Sequence, residues 1–178
     1  MTRPLPSTVV SDLAEIVGHE HVITDPERLL VYESDGLTAY RRPPRAVVLP
    51  SSTEEISAVV ELLHSNGIEV IPRGAGTGLS GGALTTPEGV IVGTARMNRI
   101  LKIDVENRLA IAQPGVINAR LTEATNPYGL YYAPDPSSQS TCTLGGNVAE
   151  NSGGPHCLKY GVTARYVTGL TVVLAGGR

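Results

Sequence analysis

Apolar residues recur along the chain at two periods, one helical and one extended. Residues 7–17, STVVSDLAEIV, place Val9, Val10, Leu13, Ile16 and Val17 on one helical face, and Gly18 ends the run. Asp25-Pro26 predicts the start of a second short helix, because proline suits a first helical position. Residues 34–45, SDGLTAYRRPPR, show no period and read as a loop. AVVLP (46–50) then reads as a strand. Ser52 and Glu55 have capping-box spacing, Ile56, Val59, Val60 and Leu63 continue as a helix, and Asn66-Gly67 stops it. IEVIP (68–72) is the next strand. Such a β–α–β unit predicts parallel pairing of its two strands through a right-handed crossover.

Beyond it, GVIVGT (89–94) reads as a strand, and LKIDV (101–105) and RLAIAQ (108–113) as a hairpin around Glu106-Asn107. Residues 116–126 look helical, closed by Pro127 and Gly129. LYYAP (130–134) reads as extended, and residues 135–161 as a long segment rich in glycine and asparagine. GLTVVLA (169–175) has the composition of a buried strand, with Gly176-Gly177 as a turn after it. A buried strand running into a hairpin turn calls for a partner strand, so truncation is expected here.

Composition narrows the class. The 178 residues suffice for one medium domain or two small subdomains, and 41% hydrophobic residues can fill a core. With no Trp or Phe and only seven Tyr, that core is mainly aliphatic. Net charge −3 gives no basic surface for nucleic acid. No apolar run reaches the about 18 residues of a transmembrane helix, and the N-terminus turns acidic too early for a secretion signal. Cys142 and Cys157 have no metal-ligand spacing, so no metal is expected and a reduced, cytoplasmic setting is the default.

The 20 glycines are clustered rather than spread. PRGAGTGLSGGA (72–83) begins where the second strand of the β–α–β unit ends, the end at which parallel sheets gather ligands. Gly76-x-Gly78-x-x-Gly81 matches a dinucleotide fingerprint, but the residues that follow, GALTTPEG, hold Pro87 and Gly89 and no helical period. Asp104 lies too far on for a ribose contact, and no Gly-Lys-Ser/Thr is present, so a Rossmann NAD site and a P-loop are both disfavoured. The stretch reads as a loop whose backbone N–H groups line an anion site for a phosphate or pyrophosphate. Arg73 is expected at its edge, with Thr77 and Ser80 as hydroxyl donors; the alternative is a tight turn packed on another backbone.

PDPSSQSTCTLGGNVAENSGG (134–154) has the same character, with Asp135 and Glu150 its only charges. Small hydroxyls, amides and exposed backbone suit a large polar cofactor with a flat ring, and the two segments could clamp one ligand between them. A plain surface loop is the alternative. His156 and Cys157 are adjacent and point to opposite faces of an extended chain, which favours packing beside the cofactor over catalysis, and no catalytic residue is assigned. His19 and His21 around Glu20 read as a solvated turn, Arg41 and Arg42 as a solvated loop, and Lys159 and Tyr160 as neighbours of the ligand.

PRGAGTGLSGGAL (72–84) and YYAPDPSSQSTCTLGGNVAENSGGPHCLKYG (131–161), with ARMNRIL and QPGV between them, resemble the FAD-linked oxidases of the vanillyl-alcohol oxidase/p-cresol methylhydroxylase type. Within that superfamily the chain is most similar to the branch of glycolate oxidase D subunits and D-lactate dehydrogenases. The resemblance implies an α+β fold: a PCMH-type FAD-binding domain of two α/β subdomains, the first a βαβ unit, the second a mixed or antiparallel sheet with helices. Residues 1–34 would be a helical extension and 35–178 the FAD domain, with a first subdomain to about residue 95 and an incomplete second from about 96.

It further implies FAD held by Arg73, Gly74, Ala75, Gly76, Thr77, Gly78, Leu79 and Ser80 at the pyrophosphate. Pro134, Asp135, Ser140, Thr141, Gly145, Gly146, Asn147, Asn151 and Gly154 would line the flavin and ribityl chain, and Gln113-Pro114-Gly115 would pass nearby. No histidine stands in the first loop, so attachment should be non-covalent. The implied reaction is oxidation of a 2-hydroxy acid to the 2-oxo acid, with hydride passing to flavin N5. This chain by itself is expected to lack the substrate domain and to be inactive. Implied partners are the hydroxy acid and other glycolate oxidase subunits, one of them iron–sulfur. The implied place is the cytoplasm or the inner face of the membrane. A stand-alone nucleotide- or partner-binding α+β module without catalytic activity remains the competing reading.

Overall fold

The computed structural model describes residues 4–178. The three residues before them, part of the expected helical extension, lie outside the described residues. By contact the chain falls into two compact units: residues up to Arg96 together with Thr171–Arg178, and Met97–Leu170.

In the first unit, α1 (Ser7–Val17) and α2 (Pro26–Leu29) form where the sequence places them. The Asp25 carboxylate caps α2 by accepting the Arg28 N–H at 2.9 Å. Between the two helices, His19–His21 make a 3₁₀ turn and β1 (Val22–Ile23) follows. After the 34–45 loop come β2 (Ala46–Val48), α3 (Thr53–Ser65), β3 (Glu69–Arg73) and β4 (Gly89–Gly93). Ser52 caps α3 through the Glu55 N–H at 3.2 Å. The Glu55 carboxylate reaches back one residue further than a capping box requires, accepting from the Ser51 N–H at 2.7 Å and its hydroxyl at 2.8 Å.

The sheet order is β1-β2-β4-β3, with β1 antiparallel to β2 and the other pairs parallel. The expected direct pairing of the βαβ strands is therefore corrected: β4 inserts between β2 and β3. Burial explains the choice. Every residue of β4 is buried, so it takes the centre, whereas β3 exposes Glu69 and Pro72 and sits at the edge, where a missing proline N–H is tolerated. The pleat sorts the core into two faces. Ala46, Val48, Val90 and Val92 pack with Val9, Leu13 and Val17 of α1 and Val59 and Leu63 of α3. Val47 and Ile91 turn the other way, toward Ile23, Leu29 and Ile71. Full burial of such side chains stabilises by about 1.5–3 kcal/mol each.

GLTVVLA is the second correction. It forms no strand, and Leu170, Val172 and Leu174 are exposed. A strand is held by ladder hydrogen bonds, and no strand among the described residues pairs with this one, so apolar composition alone does not order it. The turn at its end does form: Ala175–Gly177 is a 3₁₀ turn, and the Ser57 hydroxyl donates to the Gly177 carbonyl.

In the second unit, β5 (Ile100–Asp104) and β6 (Leu109–Ala112) form the expected hairpin, with Arg108 in the left-handed region at φ 53°. α4 (Asn118–Thr125) runs into a 3₁₀ turn ended by Gly129. The 135–161 segment is not all loop: it contains α5 (Leu144–Glu150) and α6 (Cys157–Tyr160). α5 starts because the Thr143 hydroxyl accepts the Gly146 N–H at 3.2 Å. Among the described residues, no helix is long and apolar enough to cross a membrane.

Candidate cofactor site

The first glycine loop leaves the carboxyl end of β3, and no helix follows it. None of the backbone N–H groups of Ala75, Gly76, Thr77, Gly78, Leu79 and Ser80 has an acceptor among the described residues. Ala75, Leu79 and Ser80 are exposed, and the others are half-buried. This is the donor set that an anion nest needs. Gly78 strengthens the fit. Its φ lies outside the left-handed region, and a Cβ built on it meets nothing within 4 Å. Neither conformation nor packing within the unit requires glycine there; the missing side chain leaves room for a guest. Gly76 differs, with φ +71° and a would-be Cβ 2.5 Å from Cζ of Arg73.

Arg73 is not at the edge of the loop, as expected, but buried beneath it. Its guanidinium donates to the Ser34 carbonyl at 2.9 Å and the Ala83 carbonyl at 3.2 Å, and Cζ lies 5.7 Å from the centre of the Tyr32 ring. The side chain is long enough to reach back under the loop, so it braces the turn instead of meeting a ligand head-on. Burial lowers its pKa, against the pull of Tyr32 and Asp35.

Asp35, which sequence reading left inside an unstructured loop, is the second brace. One carboxylate oxygen accepts the Gly81 N–H at 3.0 Å and the other the Leu37 N–H at 2.9 Å, while the Gly36 N–H donates to the Gly78 carbonyl at 2.9 Å. The Asp-Gly dipeptide at 35–36 was its one sequence signal. A cavity of about 310 Å³ opens beside this brace, lined by Asp35, Tyr40, Arg42, Leu79, Ser80 and Gly81 among others.

The second segment lies wholly in the other unit. Its expected contact residues divide by exposure. Ser140, Thr141 and Asn151 are exposed, and Asp135, Gly145, Gly146 and Gly154 are half-buried. Pro134 and Asn147, two of the expected contacts, are buried. The Pro134 carbonyl accepts from the buried Asn118 amide at 3.1 Å. Asn147 Nδ2 is buried with no partner among the described residues, an unmet donor inside the segment. Gly145 donates its N–H to the Pro114 carbonyl at 2.8 Å, which ties the QPG turn to α5.

Sequence reading also missed a pair within this segment. His156 Nδ1 lies 2.5 Å from Oδ2 of Asp135, and this bond holds the Asp135 carboxyl below the usual aspartate value of 3.8. Tyr131 and Tyr160 meet edge to face at 6.4 Å, and the interaction of their hydroxyls raises the pKa of Tyr131 and lowers that of Tyr160, helped by Lys159. Cys157 is exposed and Cys142 buried, both as free thiols.

The family described as an FAD binding domain matches residues 44–178. The chain is 46% identical over 171 residues to glycolate oxidase subunit GlcD of Escherichia coli, covering 96% of this chain and 34% of that protein. It is 45% identical over 132 residues to a D-lactate dehydrogenase of Archaeoglobus fulgidus, covering 74% and 29%. In three dimensions it superposes on 4-ethylphenol oxidase from Gulosibacter chungangensis with a TM-score of 0.81 at 27% identity, covering 97% of this chain and 34% of that one. The chain thus spans about a third of the length of the curated relatives it matches.

Proposed function

Since the chain belongs to the FAD binding domain family, we propose that it forms the FAD-binding part of a flavin-dependent 2-hydroxy-acid oxidoreductase of the glycolate oxidase and D-lactate dehydrogenase type. The observation that carries the reading is the run of acceptor-free amides from Ala75 to Ser80, with open space at Gly78. In this reading the amides of Gly74 to Ser80 hold the pyrophosphate, with Arg73 and Asp35 fixing the loop's shape from below. Asp135, Ser140, Thr141, Gly145, Gly146, Asn151 and Gly154 border the flavin and ribityl chain, and the unmet Asn147 amide and Pro134 support them from within. Bound FAD would supply the acceptor for the hydride of the hydroxy acid. The protein's part is to seat the cofactor and orient the groups around it.

Attachment is non-covalent in this reading, because the first loop offers Thr77 and Ser80 and no histidine. A 2-hydroxy acid as substrate and an assembly with further subunits follow from the likeness to a protein named as a glycolate oxidase subunit. An iron–sulfur subunit among them and a cytoplasmic or peripheral membrane setting are part of the same proposal. The test is an absorbance spectrum of the purified chain after incubation with FAD and gel filtration. A retained band near the flavin maximum of about 450 nm is expected in the wild type and not in Thr77→Glu, which puts a carboxylate into the anion site. Equal retention by both would refute the nest.

A further inference from the structure

The cavity of about 310 Å³ beside the first glycine loop lies wholly within the first unit, between the 34–45 loop and residues 79–86. Its walls differ in kind. Leu37, Leu79 and Leu84 are apolar, whereas Ser80 brings a hydroxyl and an N–H without an acceptor. Among the described residues, Arg42 is the one cationic side chain on the wall. Three arginines stand close together in RRPPR, residues 41–45, and the fold uses two of them. Arg41 pairs with the Glu33 carboxylate at 3.2 Å, and Arg45 pairs with Glu88 at 3.3 Å. The Arg42 guanidinium makes no hydrogen bond or ion pair among the described residues. Only its backbone is tied. The Arg42 N–H donates to the Glu33 carbonyl at 2.6 Å and Pro43-Pro44 follow, which fixes where the side chain starts. Asp35 stands on the same wall but is not its partner, because its two oxygens accept the Gly81 and Leu37 N–H groups.

A nest of backbone amides carries no net charge, whereas each phosphate of a dinucleotide carries a full negative one. Arg73 does not supply the missing cation on the open side of the loop, because its guanidinium is buried below and donates to the Ser34 and Ala83 carbonyls. We propose that Arg42 is the countercharge of the anion held by the loop, reaching from the cavity onto the phosphate seated at the Leu79 and Ser80 amides. For the identity of that anion, a dinucleotide pyrophosphate, this rests on the FAD reading above. A guanidinium presents paired N–H donors at the spacing of two phosphate oxygens, so the contact is directional as well as electrostatic. The leucine walls keep water from one side of it, where opposite charges attract more strongly than in bulk solvent. A merely solvated arginine would leave anion affinity unchanged.

The test titrates the whole chain with inorganic pyrophosphate by calorimetry and, separately, with FAD by flavin fluorescence. Wild type is compared with Arg42→Gln, Arg42→Lys and Arg41→Gln. Arg42→Gln should weaken both ligands about 10-fold, and added salt should narrow the difference. Arg42→Lys, which keeps the charge and loses the fork, should fall between. Arg41→Gln should bind like wild type, because Arg41 is committed to Glu33. The urea midpoint of Arg42→Gln should match wild type; a lower one means that Arg42 holds the fold and overturns the proposal. So do pyrophosphate affinities of wild type and Arg42→Gln within about twofold of each other, equal losses in Arg41→Gln and Arg42→Gln, or no pyrophosphate binding by the wild type. Pyrophosphate bound through Arg42 by a chain that takes no FAD overturns the cofactor reading alone. FAD bound equally well by wild type and Arg42→Gln overturns the countercharge alone.

Discussion

Gly76 and Gly78 stand two residues apart in one loop, yet the structure gives them opposite reasons for being glycine. A methyl at Gly76 would sit 2.5 Å from Cζ of the buried Arg73, about 1 Å inside a normal carbon contact, on a backbone at φ +71°. The left-handed conformation costs an alanine about 1–2 kcal/mol, and the overlap adds about 1–3 kcal/mol. Gly76→Ala should therefore lower unfolding stability by about 2–5 kcal/mol in a urea titration. A methyl at Gly78 meets nothing within 4 Å. Gly78→Ala should leave stability unchanged or raise it by up to about 1 kcal/mol, because the unfolded chain loses freedom. FAD affinity should respond the other way. On the proposed reading the Gly78 methyl would enter the space of the pyrophosphate, and an intrusion of about 1–3 kcal/mol weakens binding about 5- to 150-fold. Flavin fluorescence titration reads this directly. A Gly78→Ala chain that is as stable as wild type and binds FAD within about twofold would refute the cradle. One that unfolds more easily would refute the open space assigned to Gly78.

Three further outcomes follow from the packing and the charges. Gly154→Ala forces a Cβ against the backbone of Asp135 and should cost about 1–3 kcal/mol, read as a lower urea midpoint. Leu63→Ala, at a fully buried position where α3 meets the sheet, should cost about 2–5 kcal/mol in the same assay without a specific effect on FAD. The Asp135 carboxyl titrates lower in the folded chain than its ordinary 3.8, so between those values the unfolded chain binds more protons and stability rises with pH. The contribution of Asp135 is thus complete above 3.8 and lost as pH falls through the folded value. The gap in Tm between wild type and Asp135→Asn should close below 3.8.

Much of the fold was legible because its signals are local. α1, α2 and α3 announce themselves by apolar spacing within a few turns and by caps at Asp25 and Ser52, and the β5–β6 hairpin by two short apolar runs around Glu106-Asn107. The first glycine loop was legible as a candidate site for a related reason. The strand before it and the missing helix after it are both properties of adjacent residues. α5 escaped notice because Gly145 and Gly146 mask its period, and only the Thr143 cap and the contact with Pro114 stabilise it.

The sequence by itself determined α1, α2, α3, the β5–β6 hairpin and the first glycine loop, since each is decided by residues within reach of one another along the chain. The tertiary structure decided what depends on distant partners. β4 takes the sheet's centre beside β2 because, unlike β3, it has nothing to expose, a comparison that no single segment contains. GLTVVLA stays irregular because a strand needs hydrogen bonds from elsewhere. Arg73 turns inward because the Ser34 and Ala83 carbonyls lie beneath the loop, and Asp35 braces it across 46 positions. Asp135 meets His156 across 21 positions because Gly154 lets two backbones touch. Burial and hydrogen bonding select among such long-range pairings only once the chain has closed on itself.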